Sequence, residues 1–166
     1  MKISSHLLPL LIRIPGFLGG FTWALQEGIF LAAIPIKGLK YYRFATGVPR
    51  ARRALRRKRY DAADRLANDV LNHAPKFTAD WYHGNATHHA HLILGHLALV
   101  RCRVEEATQH LLEAGQTTGS PQLNSFGPNM ALARELLMRG QTDAVLRYFE
   151  LCRAFWKSPF NKLDEW

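Results

Sequence analysis

Residues 60–75 read YDAADRLANDVLNHAP. Ala63, Leu66, Ala67, Val70, Leu71 and Ala74 recur at helical spacing and share one face, while Asp61, Asp64, Arg65 and Asp69 take the other. Pro75 stops the pattern, because it lacks a backbone N–H and its ring clashes with the turn before it. The stretch predicts an amphipathic helix over 60–74 that must bury its apolar stripe against another element. From about residue 50 onward no segment alternates with strand period, so the fold class is all-α.

The same pattern returns twice. Over 104–114 the stripe is Ala107, Leu111 and Ala114, ended by Gly115. Over 142–156 it is Val145, Phe149, Cys152 and Phe155, ended by Ser158-Pro159. Thr142 is a suitable N-cap, and Glu105 and Glu106 suit the positive end of a helix. Each of these helices follows another. Residues 85–100 carry Leu92, Gly95 and Leu99 on one stripe, and residues 129–139 carry Leu132, Ala133, Leu136 and Leu137. The connectors, Arg101-Cys102-Arg103 and Gly140-Gln141, are short enough to force antiparallel helix hairpins. The partner of the first helix falls at about 47–57, a stretch that is nearly all basic.

These residues carry a resemblance. Leu94-Gly95, Ala98, Ala107, Leu111 and Ala114, then Leu132-Ala133, Leu136, Gly140, Val145, Phe149 and Cys152, resemble the tetratricopeptide (TPR) repeat, with Tyr60–Ala63, Leu66, Ala67, Val70 and Pro75 resembling its second helix. Tyr60 to Val104 is 44 positions and Val104 to Thr142 is 38, both longer than the repeat of about 34. A narrower set, Gly84-Asn85-Ala86 with His88-His89, Ser120–Asn129, Tyr148–Cys152 and Phe155-Trp156, resembles a group of small bacterial TPR-like proteins. The resemblance implies two to three TPR-like hairpins stacked so that neighbours bury each other's apolar faces. It implies no catalytic residue.

Charge divides the chain differently. Of 166 residues, 22 are Lys or Arg and 13 are Asp or Glu, a formal charge of +9. Residues 1–60 hold 12 of the basic residues and one acid, Glu27; the remainder is slightly acidic. The segment Phe17–Ile36, FLGGFTWALQEGIFLAAIPI, has the length of a membrane span and is followed by Lys37, Lys40 and Arg43. Glu27 near its middle costs about 2–3 kcal/mol on insertion scales, so a broken or interfacial anchor competes with a straight span. The expected division is a hydrophobic, basic segment at 1–45, a TPR-like domain at 46–157 and a tail at 158–166. Trp23, Lys37, Lys40, Arg43, Arg52, Arg53, Arg56 and Arg57 are the expected contacts with an anionic membrane. Flanking charge places the domain on the cytoplasmic face. The alternative is a cytoplasmic protein whose apolar segment is buried against the domain or a second subunit, which would make an oligomer.

Two cysteines rule out a disulfide scaffold and a four-cysteine zinc site. The phosphate-loop, dinucleotide, zinc-protease, nucleophile-elbow and EF-hand motifs do not occur. The segment 115–129, rich in Gly, Pro, Ser and Asn, is long for a connector, with Leu123 and Phe126 expected to dock it onto the helices. His83, His88, His89, His91 and His96 crowd one helix, but helical geometry turns His89 and His96 away from His88 and His91. Two of them completed by Asp80 or His83 could hold an ion. The leading expectation is a non-enzymatic interaction module, binding a partner protein or peptide through His83, Asn85, His88, Asn124, Ser125, Phe126 and Asn129. No catalytic residue, metal ligand or cofactor is assigned. The alternatives are a small-molecule, metal or haem binder, or an enzyme, built on the same His/Asn helix and the 115–129 segment, and a nucleic-acid binder using the basic run 50–59.

Overall fold

A computed structural model describes residues 38–156. Every regular element among them is helical. Helix α1 spans residues 38–56, α2 Tyr60–His73, α3 His83–Val100, α4 Val104–Gly115, α5 Pro121–Phe126, α6 Ala131–Leu137 and α7 Thr142–Arg153, with a 3₁₀ turn at Ala74–Lys76. No helix among the described residues is long and apolar enough to cross a membrane. The stretch 17–36, Trp23, Lys37 and the tail 158–166 lie outside the described residues.

The basic stretch at 47–57 belongs to a well-formed amphipathic helix. Tyr41, Phe44, Ala45, Val48, Ala51 and Ala54 are all buried, and the arginines occupy only the outward arc. Helix α1 runs unbroken through the division expected at 45/46, and Tyr41 and Phe44 belong to the core.

Three turns share one geometry. The α1–α2, α3–α4 and α6–α7 connections each place a residue in the left-handed region: Lys58 at φ 56°, Cys102 at φ 59° and Gly140 at φ 79°. The amides of Arg59, Arg103 and Gln141 donate back to the carbonyls of Ala54, Ala98 and Leu136 at 2.9, 2.9 and 3.0 Å. Those of Lys58, Cys102 and Gly140 donate to Leu55, Leu99 and Leu137 at 2.9, 3.0 and 2.9 Å. This is the Schellman pattern, which satisfies carbonyls left over at a helix end and reverses the chain.

Counting back and forward from each turn gives three matched pairs: Ala51 with Ala63, Gly95 with Ala107, and Ala133 with Val145. All six are buried. A methyl on Gly95 would sit 3.4 Å from the Ala107 carbonyl oxygen and collide with Leu132 of α6. Small residues at this register let paired helices lie close.

The core has two parts joined through α3. Ala86, Ala90, Ile93, Leu94 and Leu97 of α3 pack with α1 and α2. Leu92, Ala98 and Leu99 pack with Ala107, Leu111, Leu132, Leu136, Val145 and Tyr148. Helix α3 is thus buried on both sides and serves as the spine.

Several local expectations are corrected. The 115–129 segment contains a helix, α5, capped by the Ser120 hydroxyl accepting from the Leu123 amide at 3.1 Å, with Pro121 in the first turn. Leu123 docks it, but Phe126 is 85% exposed and does not. Trp156 covers Gly127 instead, where a Cβ would fall 2.6 Å from the indole. Thr142 is the first residue of α7 rather than its cap; Gln141 stands at the cap without a side-chain bond.

Candidate functional site

The expected partner-binding residues separate into interior and surface. His88 is fully buried, its Nδ1–H donating to the Ala114 carbonyl at 2.8 Å, with its ring stacked near Tyr148. Burial pushes its pKa down to about 4, so the imidazole is neutral at pH 7. Asn85 is buried too and hydrogen-bonds Tyr82, whose hydroxyl burial pushes up to about 12. His83 is half-buried and stacks on Phe44. The Asn124 amide nitrogen donates to the carbonyls of Phe155 at 2.9 Å and Ser120 at 3.1 Å. The Asn129 Oδ1 accepts from the Ala131 amide at 2.9 Å and caps α6. Thr117 Oγ1 donates to the Gly84 carbonyl at 3.2 Å, seating this segment on the start of α3. Of the seven, His88 and Asn85 stand inside the fold, while Asn124 and Asn129 hold backbone. Ser125 and Phe126 face solvent.

Of the residues expected to contact a membrane, Arg43, Arg53 and Arg57 come together in one groove. An open groove of about 850 Å³ runs along α1 and α2, lined by Arg43, Arg50, Arg53, Arg57, Arg59 and Arg65. Arg43, Arg50 and Arg53 fall on one arc of α1, and Arg57 extends it one residue past the helix end. Asp64 and Asp69 also line the groove, each held by an arginine. Arg43 grips Asp69 with two bonds of 2.9 and 3.0 Å, and Arg101 reaches Asp64 at 2.6 Å. Lys40, Arg52 and Arg56 are exposed but lie off the groove; Arg50, Arg59 and Arg65 complete it.

Register sets this face beside its counterparts in the other hairpins. Counted from the three turns, Arg50 corresponds to Leu94 and Leu132, and Arg53 to Leu97. Those leucines are buried. In α3, Leu94 and Leu97 pack in the same core as α2, the helix before it. Arg50 and Arg53 are exposed, so α1 carries charged side chains where α3 carries buried leucines.

Among the described residues no three-ligand group includes Asp80 or His83. His91 instead faces His110 and Glu113 of α4, and among the described residues these three form the one group of His, Cys, Asp or Glu with converging ligand atoms. Burial pushes the Cys152 thiol up to about 12, so it stays protonated, and Cys102 sits exposed in its turn.

Compared with protein-family models, curated proteins and solved structures, the chain matches none.

Proposed function

We propose that this chain is a non-enzymatic, TPR-like interaction module held on the cytoplasmic face of an anionic membrane, presenting its other helix faces to a partner protein. The single observation behind it is the arginine groove, six guanidinium groups against two aspartates already engaged. The apolar stretch Phe17–Ile36 ends one residue before Lys37, and α1 follows at once, so the cationic face begins where an anchor would leave the lipid. Each Lys or Arg near an anionic leaflet is worth about 1 kcal/mol. Exposed Val100, Leu137 and Met138, at matching ends of α3 and α6, supply apolar contact for a partner.

The test is co-sedimentation of the full-length chain with zwitterionic vesicles and with vesicles containing phosphatidylglycerol. The wild type prefers the anionic vesicles, and salt weakens the preference. Replacing Arg50, Arg53, Arg57 and Arg65 by Gln lowers partitioning to anionic vesicles by at least about a hundredfold, with helicity unchanged. Equal partitioning of wild type and variant would sink the proposal. Tighter, arginine-dependent binding to RNA than to vesicles would replace it with the nucleic-acid alternative.

A further inference from the structure

We propose that His91, His110 and Glu113 form a binding site for one divalent first-row transition ion, Zn²⁺ being the best fit. The site lies between α3 and α4, away from the arginine groove, and does not rest on the membrane proposal.

The donor atoms already stand at metal-site spacing. His91 Nδ1 is 3.3 Å from His110 Nδ1 and 2.9 Å from Glu113 Oε2, and His110 Nδ1 is 3.1 Å from the same oxygen. A tetrahedral Zn²⁺ with bonds of about 2.0–2.1 Å holds its ligand atoms about 3.3 Å apart. Protons alone serve this triangle poorly. If both Nδ1 atoms carry hydrogen, two N–H groups crowd one another over one oxygen; if one does not, its lone pair stands within 2.9–3.1 Å of the carboxylate oxygen. A cation at the centre satisfies three lone pairs at once.

The surroundings hold the ligands in place. Gln109 Nε2 donates to Glu113 Oε1 at 3.1 Å, fixing the carboxylate from outside as second-layer groups do in metal sites. A Cβ on Gly95 would stand 3.4 Å from His110 Cβ, so α3 and α4 approach closely beside the site. The side chains are 19%, 20% and 33% exposed, enough for an ion to enter and for water to take the fourth position. Two imidazoles and one carboxylate suit Zn²⁺, Cu²⁺ or Ni²⁺ rather than the all-oxygen preference of Mg²⁺ or Ca²⁺.

The experiment is equilibrium dialysis of the full-length chain against Zn²⁺, with metal counted per chain and the Co²⁺ visible spectrum as a second readout. One ion binds per chain, and Co²⁺ gives a four-coordinate spectrum. His110→Ala and Glu113→Gln each weaken binding at least about a hundredfold, and Gln109→Ala about tenfold, within the range for second-layer groups. Glu105→Gln, an exposed carboxylate on α4 outside the triangle, leaves binding unchanged. Circular dichroism checks helicity in every variant, and the near-isosteric Glu113→Gln covers the case of a His110→Ala chain that misfolds. Absence of saturable binding, or binding that survives Glu113→Gln in a folded chain, would overturn the site.

Discussion

At the scale of single residues, His88 shows how burial turns a polar side chain into part of a core. Its Nδ1–H is matched to the Ala114 carbonyl, while Nε2 is buried with no partner among the described residues. Protonation would place an uncompensated charge among Tyr148, Phe155 and His89. The unfolded chain takes up this proton near pH 6.5, the folded chain only near pH 4. Stability from His88 is therefore full above pH 6.5 and falls as the pH drops toward 4. Between pH 7 and pH 5 it loses about 2 kcal/mol. His89, His91 and His96 are also depressed by burial, which adds to the same trend. Urea unfolding at the two pH values should show the loss. His88→Asn, which keeps a donor for Ala114, should unfold with a visibly flatter pH slope; an unchanged slope would shift the effect to the other histidines.

At the scale of elements, the three turns differ in how well their residues suit them. Gly140 adopts a positive φ at little cost, whereas Lys58 and Cys102 carry a Cβ that crowds the following carbonyl, a strain of about 1–2 kcal/mol each. Cys102→Gly should raise stability by about 1 kcal/mol, the gain reduced by the freer unfolded chain. A change in the urea midpoint without a change in slope would report it. The opposite sign belongs to α5. Ser120→Ala removes the cap on Leu123 and should lower stability by about 1 kcal/mol, seen in the same titration. These turns were partly legible in sequence, since Gly140 and the short Arg101-Cys102-Arg103 connector marked two of the three. The α1–α2 turn was hidden because its arginine-rich flank reads as a solvated run until Tyr41, Phe44, Val48 and Ala51 are seen on its inner face. Helix α5 was hidden because Gly, Pro and Ser signal a turn as readily as a capped helix start.

At the scale of the whole molecule, α3 joins the two halves of the core, and Gly95 is where it touches both α4 and α6. Gly95→Ala pushes a methyl into Leu132 and against the Ala107 carbonyl, so the second and third hairpins must separate. Overpacking of this kind costs about 1–3 kcal/mol, even though Ala is the better helix former. Thermal unfolding should show a lower midpoint; a higher one would mean that Leu132 moves aside freely. The same central position blurs α3 in sequence. A helix packed on two sides has no single apolar stripe, so Leu92, Ile93, Leu94, Leu97, Ala98 and Leu99 are all buried.

The chain's own pattern determined the helical class, the hairpin order and the small residues at Gly95, Ala107 and Ala133, because helical periodicity and turn chemistry are local properties. It also showed the concentration of positive charge before residue 60. Tertiary structure alone decided which arginines share a groove, since Arg59 and Arg65 join α1's arginines only once α2 folds back. It moved Asn85 and His88 from an expected surface to the interior, because each helix's exposed arc depends on what packs beside it. And it brought His91 to His110 and Glu113 across 19 and 22 positions of chain, a meeting set by the close pairing of α3 with α4 that no local spacing encodes.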